Sequence, residues 1–161
     1  LMGVLMGGTA LVIFFSPYTT ASGAYINPAV TLAFWRLGQI GWKDSLFYIV
    51  CQFTGGTLSV YLMSLLMGDI LSQAPVNYVI TIPGKYGVTP AIIAEFLMSF
   101  IMMGMVLFTS ASHLFKKCTR YLAAVLICIY VIIGGPVSGF GINPARSFSS
   151  ALIAGNWNHI W

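Results

Sequence analysis

The sequence predicts an all-α protein embedded in a membrane and built around an inverted internal repeat. Three observations support this fold class. Hydrophobic residues make up 58% of the 161 residues and charged residues only 6%, whereas an ordinary soluble domain is about 25% charged. Four apolar runs reach or approach the length that crosses a bilayer. One eight-residue motif also occurs twice.

The predicted spanning helices are apolar runs that approach or exceed the roughly 17–25 residues needed to cross a bilayer as helix. In chain order, they are residues 1–18, 45–67, 88–112 and 121–137. Two shorter apolar stretches, 29–35 and 145–154, lie in the segments that follow the first and fourth runs. At 1.5 Å per residue these stretches reach only about 10–15 Å. The sequence therefore predicts four spans and two half-length helices.

Basic residues predict the orientation of the spans, because cytoplasmic connections carry an excess of Lys and Arg. The connections after the first and third spans contain most of them: Arg36, Lys43, Lys116, Lys117 and Arg120. Both connections are therefore assigned to the cytoplasmic side, and the Pro- and Gly-rich connection 68–87 to the outer side. By alternation, the two half-length segments enter the membrane from opposite faces.

The two half-length segments share a motif. Residues 22–29 are S-G-A-Y-I-N-P-A and residues 138–145 are S-G-F-G-I-N-P-A, identical at six of eight positions. Asn is a good helix N-cap and Pro suits the first helical position. Irregular backbone at membrane depth is tolerated only where it is buried in protein or lines a water-filled cavity. Inverted repeats with broken helices therefore indicate a permeation or binding site.

These motifs resemble those of the aquaporin (major intrinsic protein) family across nearly the whole chain. The resemblance implies six spanning helices, two re-entrant half-helices and a homotetramer with one pore per subunit. We expect four of the six spans here, with the first and last absent, in a single partial channel domain, 1–161. Its expected parts are the second span with the first half-helix (1–44), the third and fourth spans (45–112), and the fifth span with the second half-helix (113–161).

The resemblance assigns the pore-forming motifs to six residues, which are Asn27, Pro28, Ala29, Asn143, Pro144 and Ala145. Each Asn side chain would present an NH₂ donor to the lumen, beside the positive end of a helix dipole. Such donors would orient water molecules, and the positive dipole ends would repel protons and cations, as in aquaporin-type pores. Arg146 follows the second motif, and a charge at membrane depth is costly unless it has a function. It resembles the selectivity arginine.

The solute remains open on sequence grounds. Counting back from the motifs places the other filter positions at Gly7, Val131 and Phe140, which departs from the water-specific pattern. Phe140 is similar to glycerol facilitators, whereas Ser147 and Ala151 resemble water channels. The leading prediction is a passive channel for water that also admits small uncharged solutes and excludes protons and ions. The alternatives are a glycerol or small neutral solute facilitator and a non-conducting structural membrane protein of the same fold.

Other side chains favour no catalytic function. Glu95 is the only carboxylate inside a span, and the resemblance gives it a buried structural role, accepting hydrogen bonds from the backbone of the first Asn-Pro-Ala loop. His113 and His159 are far apart in the sequence, and the three cysteines have no metal-ligand spacing. We therefore expect no enzyme activity, no metal and no cofactor, and because the seven Lys and Arg residues form no basic stripe, we expect no nucleic-acid partner. The expected location is a plasma or inner membrane, with multiple spans and lipid as the surrounding partner.

Overall fold

The computed structural model describes residues 1–158, and every regular element within that range is helical. The α-helices are α1 (Met2–Phe15), α2 (Pro17–Thr20), α3 (Pro28–Arg36), α4 (Trp42–Met67), α5 (Asp69–Ser72), α6 (Val88–Ala111), α7 (Thr119–Ile133), α8 (Gly135–Ser138) and α9 (Pro144–Ala154). Two 3₁₀ turns lie at Asn77–Val79 and Lys116–Cys118. The all-α prediction is confirmed. His159, which was considered together with His113, and Trp161, near which the family resemblance places the start of a last span, lie outside the described residues.

The chain divides into two compact units, each made of two separate stretches of sequence. Unit 1 contains Leu1–Ala24 and Pro83–Ile142. Unit 2 contains Tyr25–Ile82 and the residues from Asn143 onward. Both predicted half-helices, α3 and α9, therefore belong to unit 2.

Unit 1 is built on the packing of α1 along α7, with α6 against α7 and α8. The approach of α1 to α7 depends on glycine, since a Cβ added at Gly3 would lie 2.6 Å from the carbonyl oxygen of Cys128. A Cβ at Gly7 would lie 2.9 Å from the carbonyl oxygen of Ala124. Small residues let helix backbones approach closely. A buried apolar cluster fills the rest of the unit and contains Met98, Met102, Ala123, Tyr130 and Phe140.

Unit 2 is built on the packing of α4 along α9, with α3 against α4. Here too the contact uses small residues. A Cβ at Gly56 would lie 2.6 Å from Oγ of Ser149, whose hydroxyl donates to the carbonyl of Ala145 at 2.7 Å. The Thr57 and Ser149 hydroxyls lie 3.3 Å apart. Polar groups of the half-helix α9 are thus satisfied on the side where it meets the long helix α4.

Two of the four predicted spans end earlier than the apolar runs do. The run at 1–18 is helical only to Phe15, because Ser16 is extended and caps the new turn that begins at Pro17. In the run at 121–137, α7 ends at Ile133, and after Gly134 the chain continues as the separate turn α8, because Pro136 in its first turn has no amide hydrogen to continue the hydrogen bonds of α7. Within residues 1–158, α4 and α6 are the helices long and apolar enough to cross a membrane by themselves, and α1 is a shorter apolar helix.

Candidate functional site

Both half-helices begin at an asparagine that caps them. Asn27 is extended, with φ −139° and ψ 121°, and its Oδ1 accepts from the amide of Ala29 at 2.9 Å. Asn143 has a similar backbone, with φ −124° and ψ 106°, and its Oδ1 accepts from the amides of Ala145 at 3.1 Å and Arg146 at 3.4 Å. The following proline occupies the first turn in each case. The predicted starts of the two half-helices are therefore confirmed.

The sequence repeat is also a repeat of backbone conformation. Gly23 and Ala24 have φ values of 77° and 58°, and the equivalent Gly139 and Phe140 have values of 81° and 54°. This left-handed region is open to glycine but sterically disfavoured for residues that carry a Cβ. Each motif therefore turns the chain sharply between the preceding helical segment and the capping asparagine, at the cost of one strained residue.

The tips of the two half-helices meet within unit 2. Nδ2 of Asn143 donates to the carbonyl oxygen of Ile26 at 2.9 Å, and Ile26 immediately precedes Asn27. Because each asparagine turns its Oδ1 toward its own helix, its NH₂ group is directed away from that helix. Each helix N-terminus also carries a partial positive charge of roughly half an elementary charge. The junction thus combines amide donors with two positive dipole ends.

Gln52 of α4 supports the first of these tips. Its Nε2 donates to the carbonyl oxygen of Tyr25 at 2.8 Å and to Oγ1 of Thr31 at 2.9 Å. Thr31 is fully buried, and the buried Oε1 of Gln52 has no hydrogen-bond partner among the described residues. The sequence interpretation missed Gln52. A signal was present, because it is the one carboxamide in a long apolar helix and polar side chains in spans are costly.

Glu95 of α6 supports the second loop, so the prediction that it binds the first loop is wrong. Its Oε1 accepts from the Ser138 hydroxyl at 2.5 Å and the Gly141 amide at 2.7 Å, and its Oε2 accepts from the Ile142 amide at 2.7 Å. The reason is the chain path: α6 packs against α8, which leads directly into residues 139–142. The carboxylate is half-buried rather than fully buried.

Arg146 is half-buried in the first turn of α9 and is held by a buried threonine. Its Nη1 donates to Oγ1 of Thr81 at 2.5 Å, and this hydroxyl lies 2.8 Å from Oγ of Ser147. Thr81 was not singled out from the sequence, where it is the one threonine of a Pro- and Gly-rich connection. Ala151, the other residue predicted to be typical of water channels, is buried in α9.

The other three predicted filter residues lie in unit 1. Gly7 is buried where α1 meets α7, and a side chain built there would point at the α7 backbone. Val131 is half-buried. Phe140 is buried, with its ring 6.0 Å from that of Tyr130. Packing contacts alone explain why a glycine lies at position 7 and a buried phenylalanine at position 140. The filter role of all three residues stays a prediction.

Titratable side chains are dispersed over the described part of the chain. His113 is exposed beyond the end of α6, and Asp44 and Asp69 are exposed in the first turns of α4 and α5. Within residues 1–158 no group of three or more His, Cys, Asp and Glu side chains is placed to hold a metal ion. The candidate site in unit 2 is thus composed of amides, hydroxyls and one guanidinium, and in unit 1 the Glu95 carboxylate accepts hydrogen bonds from the loop that precedes Asn143.

Comparison with known proteins agrees with this architecture. Residues 2–161 match the profile of the major intrinsic protein family. Among curated proteins, the chain is 31% identical over 157 residues to "Aquaporin NIP1-1" of Zea mays, covering 98% of this chain and 54% of the relative. It is 33% identical over 156 residues to "Probable aquaporin NIP-type" of Nicotiana alata, covering 94% and 55%. The chain thus spans about half the length of the curated relatives that it matches.

A solved structure shares the fold. The aquaglyceroporin from Plasmodium falciparum superposes with a TM-score of 0.69, covering 95% of this chain and 79% of that one, at 18% sequence identity. At this identity the likeness concerns the fold alone. It supports the arrangement of spanning helices and two re-entrant half-helices.

Proposed function

The chain belongs to the major intrinsic protein family, and we propose that it forms a passive channel that conducts water and small uncharged solutes and excludes protons and ions. As a member of this family it is an integral membrane protein. We further propose that residues 1–161 act as one channel domain and that the protein assembles as a homotetramer, with no cofactor and no catalytic cycle. The relatives named aquaporin and the aquaglyceroporin neighbour support a channel of this class.

The observation on which the proposal depends is the junction between the two half-helix tips. Asn143 uses its Oδ1 to cap α9 and one hydrogen of its NH₂ group toward Ile26. A carboxamide NH₂ carries two hydrogens, so the second is suited to a passing water oxygen. The capped Asn27 would supply the same donor from the other half-helix. A water that accepts from both amides cannot also accept from its neighbouring water, and the chain needed for proton hopping is broken.

Electrostatics supports the exclusion of ions. The positive ends of α3 and α9 meet at the junction, and like charges repel cations there. Arg146 adds a full positive charge in the first turn of α9. A guanidinium also offers several N–H donors and no acceptor, which suits the oxygen of water or of a polyol. The proposed mechanism is thus hydrogen-bonded passage of neutral molecules past fixed positive charge.

Phe140 supports a second candidate, a facilitator for glycerol or other small neutral solutes, because an aromatic residue beside the second motif is similar to that class. The neutral Ser147 and small Ala151 support the water channel instead. A structural protein that conducts little is a third candidate of a different class. The capped Asn27 and Asn143 together with the anchored Arg146 argue against it.

Stopped-flow light scattering on proteoliposomes tests the proposal. The native protein is compared with empty liposomes under water and glycerol gradients, alongside Asn143→Asp. The carboxylate of that variant keeps the capping acceptor but loses the NH₂ donor and adds a negative charge. Because a unit charge a few ångströms away is worth about 4 kcal/mol near a protein surface, cation leak is expected to rise about tenfold or more.

Asn156→Asp is the matched control, since Asn156 lies beyond the other end of α9 and also accepts a backbone amide hydrogen bond. It should leave water flux and ion exclusion unchanged. Fast water flux without glycerol flux would identify a water channel, and fast flux of both a broader neutral-solute channel. Flux no faster than in empty liposomes would refute the conducting function and favour the structural one.

A further inference from the structure

The short connection between α6 and α7 in unit 1 exposes apolar and basic side chains next to one another. Leu114 is 83% exposed and Phe115 is 47% exposed. Lys116 and Lys117 follow them directly and are exposed, and Arg120 in the first turn of α7 is half-buried. We call this surface the α6–α7 patch, and it consists of Leu114, Phe115, Lys116, Lys117, Arg120 and Tyr121.

Aromatic contacts attach the patch to the helices of unit 1. The ring of Phe115 lies 6.3 Å from that of Phe108, near the end of α6. The ring of Tyr121 in α7 lies 4.9 Å from that of Phe15, the last residue of α1. The Arg120 guanidinium lies over the same Phe15 ring, 5.3 Å from its centre. The patch is therefore attached through side-chain contacts to α1, α6 and α7.

The positive charges of the patch have no carboxylate to pair with in their own unit. Unit 1, which comprises Leu1–Ala24 and Pro83–Ile142, contains four Lys and Arg residues and one acidic residue, Glu95. Glu95 lies 16 residues before the end of α6, about 24 Å along the helix. Its carboxylate accepts hydrogen bonds from the loop that precedes Asn143. Three cations thus lie within five consecutive residues, 116–120, and remain uncompensated in unit 1.

These cations also oppose the dipole of the helix that they precede. A helix N-terminus carries a partial positive charge, so acidic residues are favourable there and basic residues are not. α7 has no acidic residue in its first turn and no side-chain hydrogen bond at its N-cap, Cys118. Sequences break such local rules mainly at functional sites. An anion bound beside Lys116, Lys117 and Arg120 would relieve the conflict.

The apolar neighbours indicate which kind of anion fits. A free inorganic anion gains nothing from the exposed Leu114 and Phe115, whereas a phospholipid offers acyl chains to them and a phosphate to the cations. α6 is long and apolar enough to cross a membrane, and Leu114 lies three residues beyond its end. This places the patch at the depth of the lipid headgroups, where basic side chains attract anionic lipids.

We propose that the α6–α7 patch binds the phosphodiester headgroup of an anionic phospholipid. Lys116, Lys117 and Arg120 contact the headgroup, and Leu114 and Phe115 contact the acyl chains. A guanidinium stacked on an aromatic ring still offers its in-plane N–H groups to phosphate. The lipid belongs to the leaflet that the connection between α6 and α7 faces, which the basic residues predict to be cytoplasmic. The inference does not depend on which solute the protein conducts, or on whether it conducts.

Thermal unfolding of the purified protein in a non-ionic detergent tests the proposal. Dioctanoyl phosphatidylglycerol is the anionic probe and dioctanoyl phosphatidylcholine is the zwitterionic one. A ligand that binds only the folded protein raises its unfolding midpoint in a concentration-dependent way. The midpoint should rise with phosphatidylglycerol at concentrations at which phosphatidylcholine leaves it unchanged. High salt should reduce this rise, because it screens exposed charges.

Charge variants locate the binding surface. Each basic residue near a membrane surface is worth about a factor of five in affinity for anionic lipid, so Lys117→Gln should weaken the apparent affinity about fivefold and the double variant Lys116→Gln/Lys117→Gln about 25-fold. Lys43→Gln is the matched control, since Lys43 is also exposed on a basic connection but is followed directly by Asp44. It should leave the affinity within about twofold of the native value.

The apolar part of the patch is tested by Leu114→Ser, which keeps every charge. Loss of the contact between an exposed leucine and an acyl chain should weaken the affinity for phosphatidylglycerol severalfold. Sodium phosphate at the same concentrations is the test for a free anion, and it should leave the midpoint unchanged. All substituted side chains are exposed, so the variants are expected to fold.

A midpoint rise that is specific to phosphatidylglycerol, reduced stepwise in the lysine variants and kept in Lys43→Gln supports the proposal. Equal rises with both lipids, or a response to phosphatidylglycerol that is unchanged in the double variant, would overturn it. If the double variant does not fold, an unchanged response in Lys117→Gln overturns it instead. A rise produced equally by sodium phosphate would show a site for free anions and refute lipid binding.

Discussion

The hydrogen bonds at Glu95 lead to a specific prediction for Glu95→Gln. The native carboxylate accepts from two backbone amides at 2.7 Å and from the Ser138 hydroxyl at 2.5 Å. Glutamine has a single acceptor oxygen, and its NH₂ group cannot accept from an amide. In the best orientation, the oxygen replaces Oε1 and keeps Ser138 and Gly141, whereas the NH₂ group faces the amide of Ile142. At least one backbone donor then loses its partner.

The expected cost follows from these contacts. An orphaned amide costs about 1–3 kcal/mol, and each of the two retained hydrogen bonds weakens by about 1 kcal/mol when its acceptor loses its charge. Relief of the desolvation of a half-buried carboxylate offsets part of this loss. The net destabilisation is about 2–4 kcal/mol. For a protein of this size, 1 kcal/mol moves the unfolding midpoint by about 2–4 °C, so a decrease of about 5–15 °C is expected.

The assay is thermal unfolding of the purified protein in detergent, followed by circular dichroism. Asp69→Asn is the control, because it removes a carboxylate that is exposed at the start of α5. Its midpoint should stay within about 1 °C of the native value, since exposed substitutions are usually worth less than about 0.5 kcal/mol. A midpoint for Glu95→Gln that also stays within this range would refute the view that the carboxylate holds the second loop.

Three further predictions concern single substitutions in the helices, and two of them use a neighbouring glycine as the control. Gly7→Ala should lower stability by about 1–3 kcal/mol because the methyl would lie 2.9 Å from an α7 carbonyl, whereas Gly8→Ala, with nothing within 4 Å, should be neutral or stabilising in denaturant titrations. Likewise Gly56→Ala, with its methyl 2.6 Å from a serine oxygen, should accelerate proteolysis of unit 2, and Gly55→Ala, in open space, should not. Val131→His should reduce glycerol flux severalfold if position 131 lines the filter, and glycerol flux equal to that of the native protein would exclude that role.

The fold could be predicted because its main signals are local. Apolar runs of spanning length and two Asn-Pro-Ala motifs are visible in the sequence, and the structure begins α3 and α9 where those motifs predict. Helix ends were less predictable. Hydropathy does not distinguish a helical residue from an extended one, and the early ends of α1 and α7 depend on the extended Ser16 and on Pro136.

The partners within the site could not be predicted, since they depend on contacts between distant parts of the chain. Nothing in the sequence distinguishes Gly56, which faces Ser149, from its neighbour Gly55, which faces open space. The loop bound by Glu95 was assigned wrongly because the residue type indicates an acceptor but not which loop packs beside it. Thr81 carries no sequence signal, because its contact with Arg146 depends on the burial of Ile80 and on the packing of the preceding turn against α9.

The contact between Asn143 and Ile26 has a consequence for how the protein is made. The two residues are 117 positions apart, and a ribosome that adds about 5–20 residues per second needs roughly 6–25 s to pass from one to the other. During that interval the tip of α3 and the Gly56 side of α4 remain uncovered, because α9 has not yet been synthesised. Neither unit is a continuous stretch of chain, but the last segment of unit 1 ends at Ile142, so unit 1 is fully synthesised before unit 2 receives α9. The first half-helix therefore stays uncovered until α9 is synthesised, and a chain truncated before α9 would expose this uncovered surface to cellular quality control.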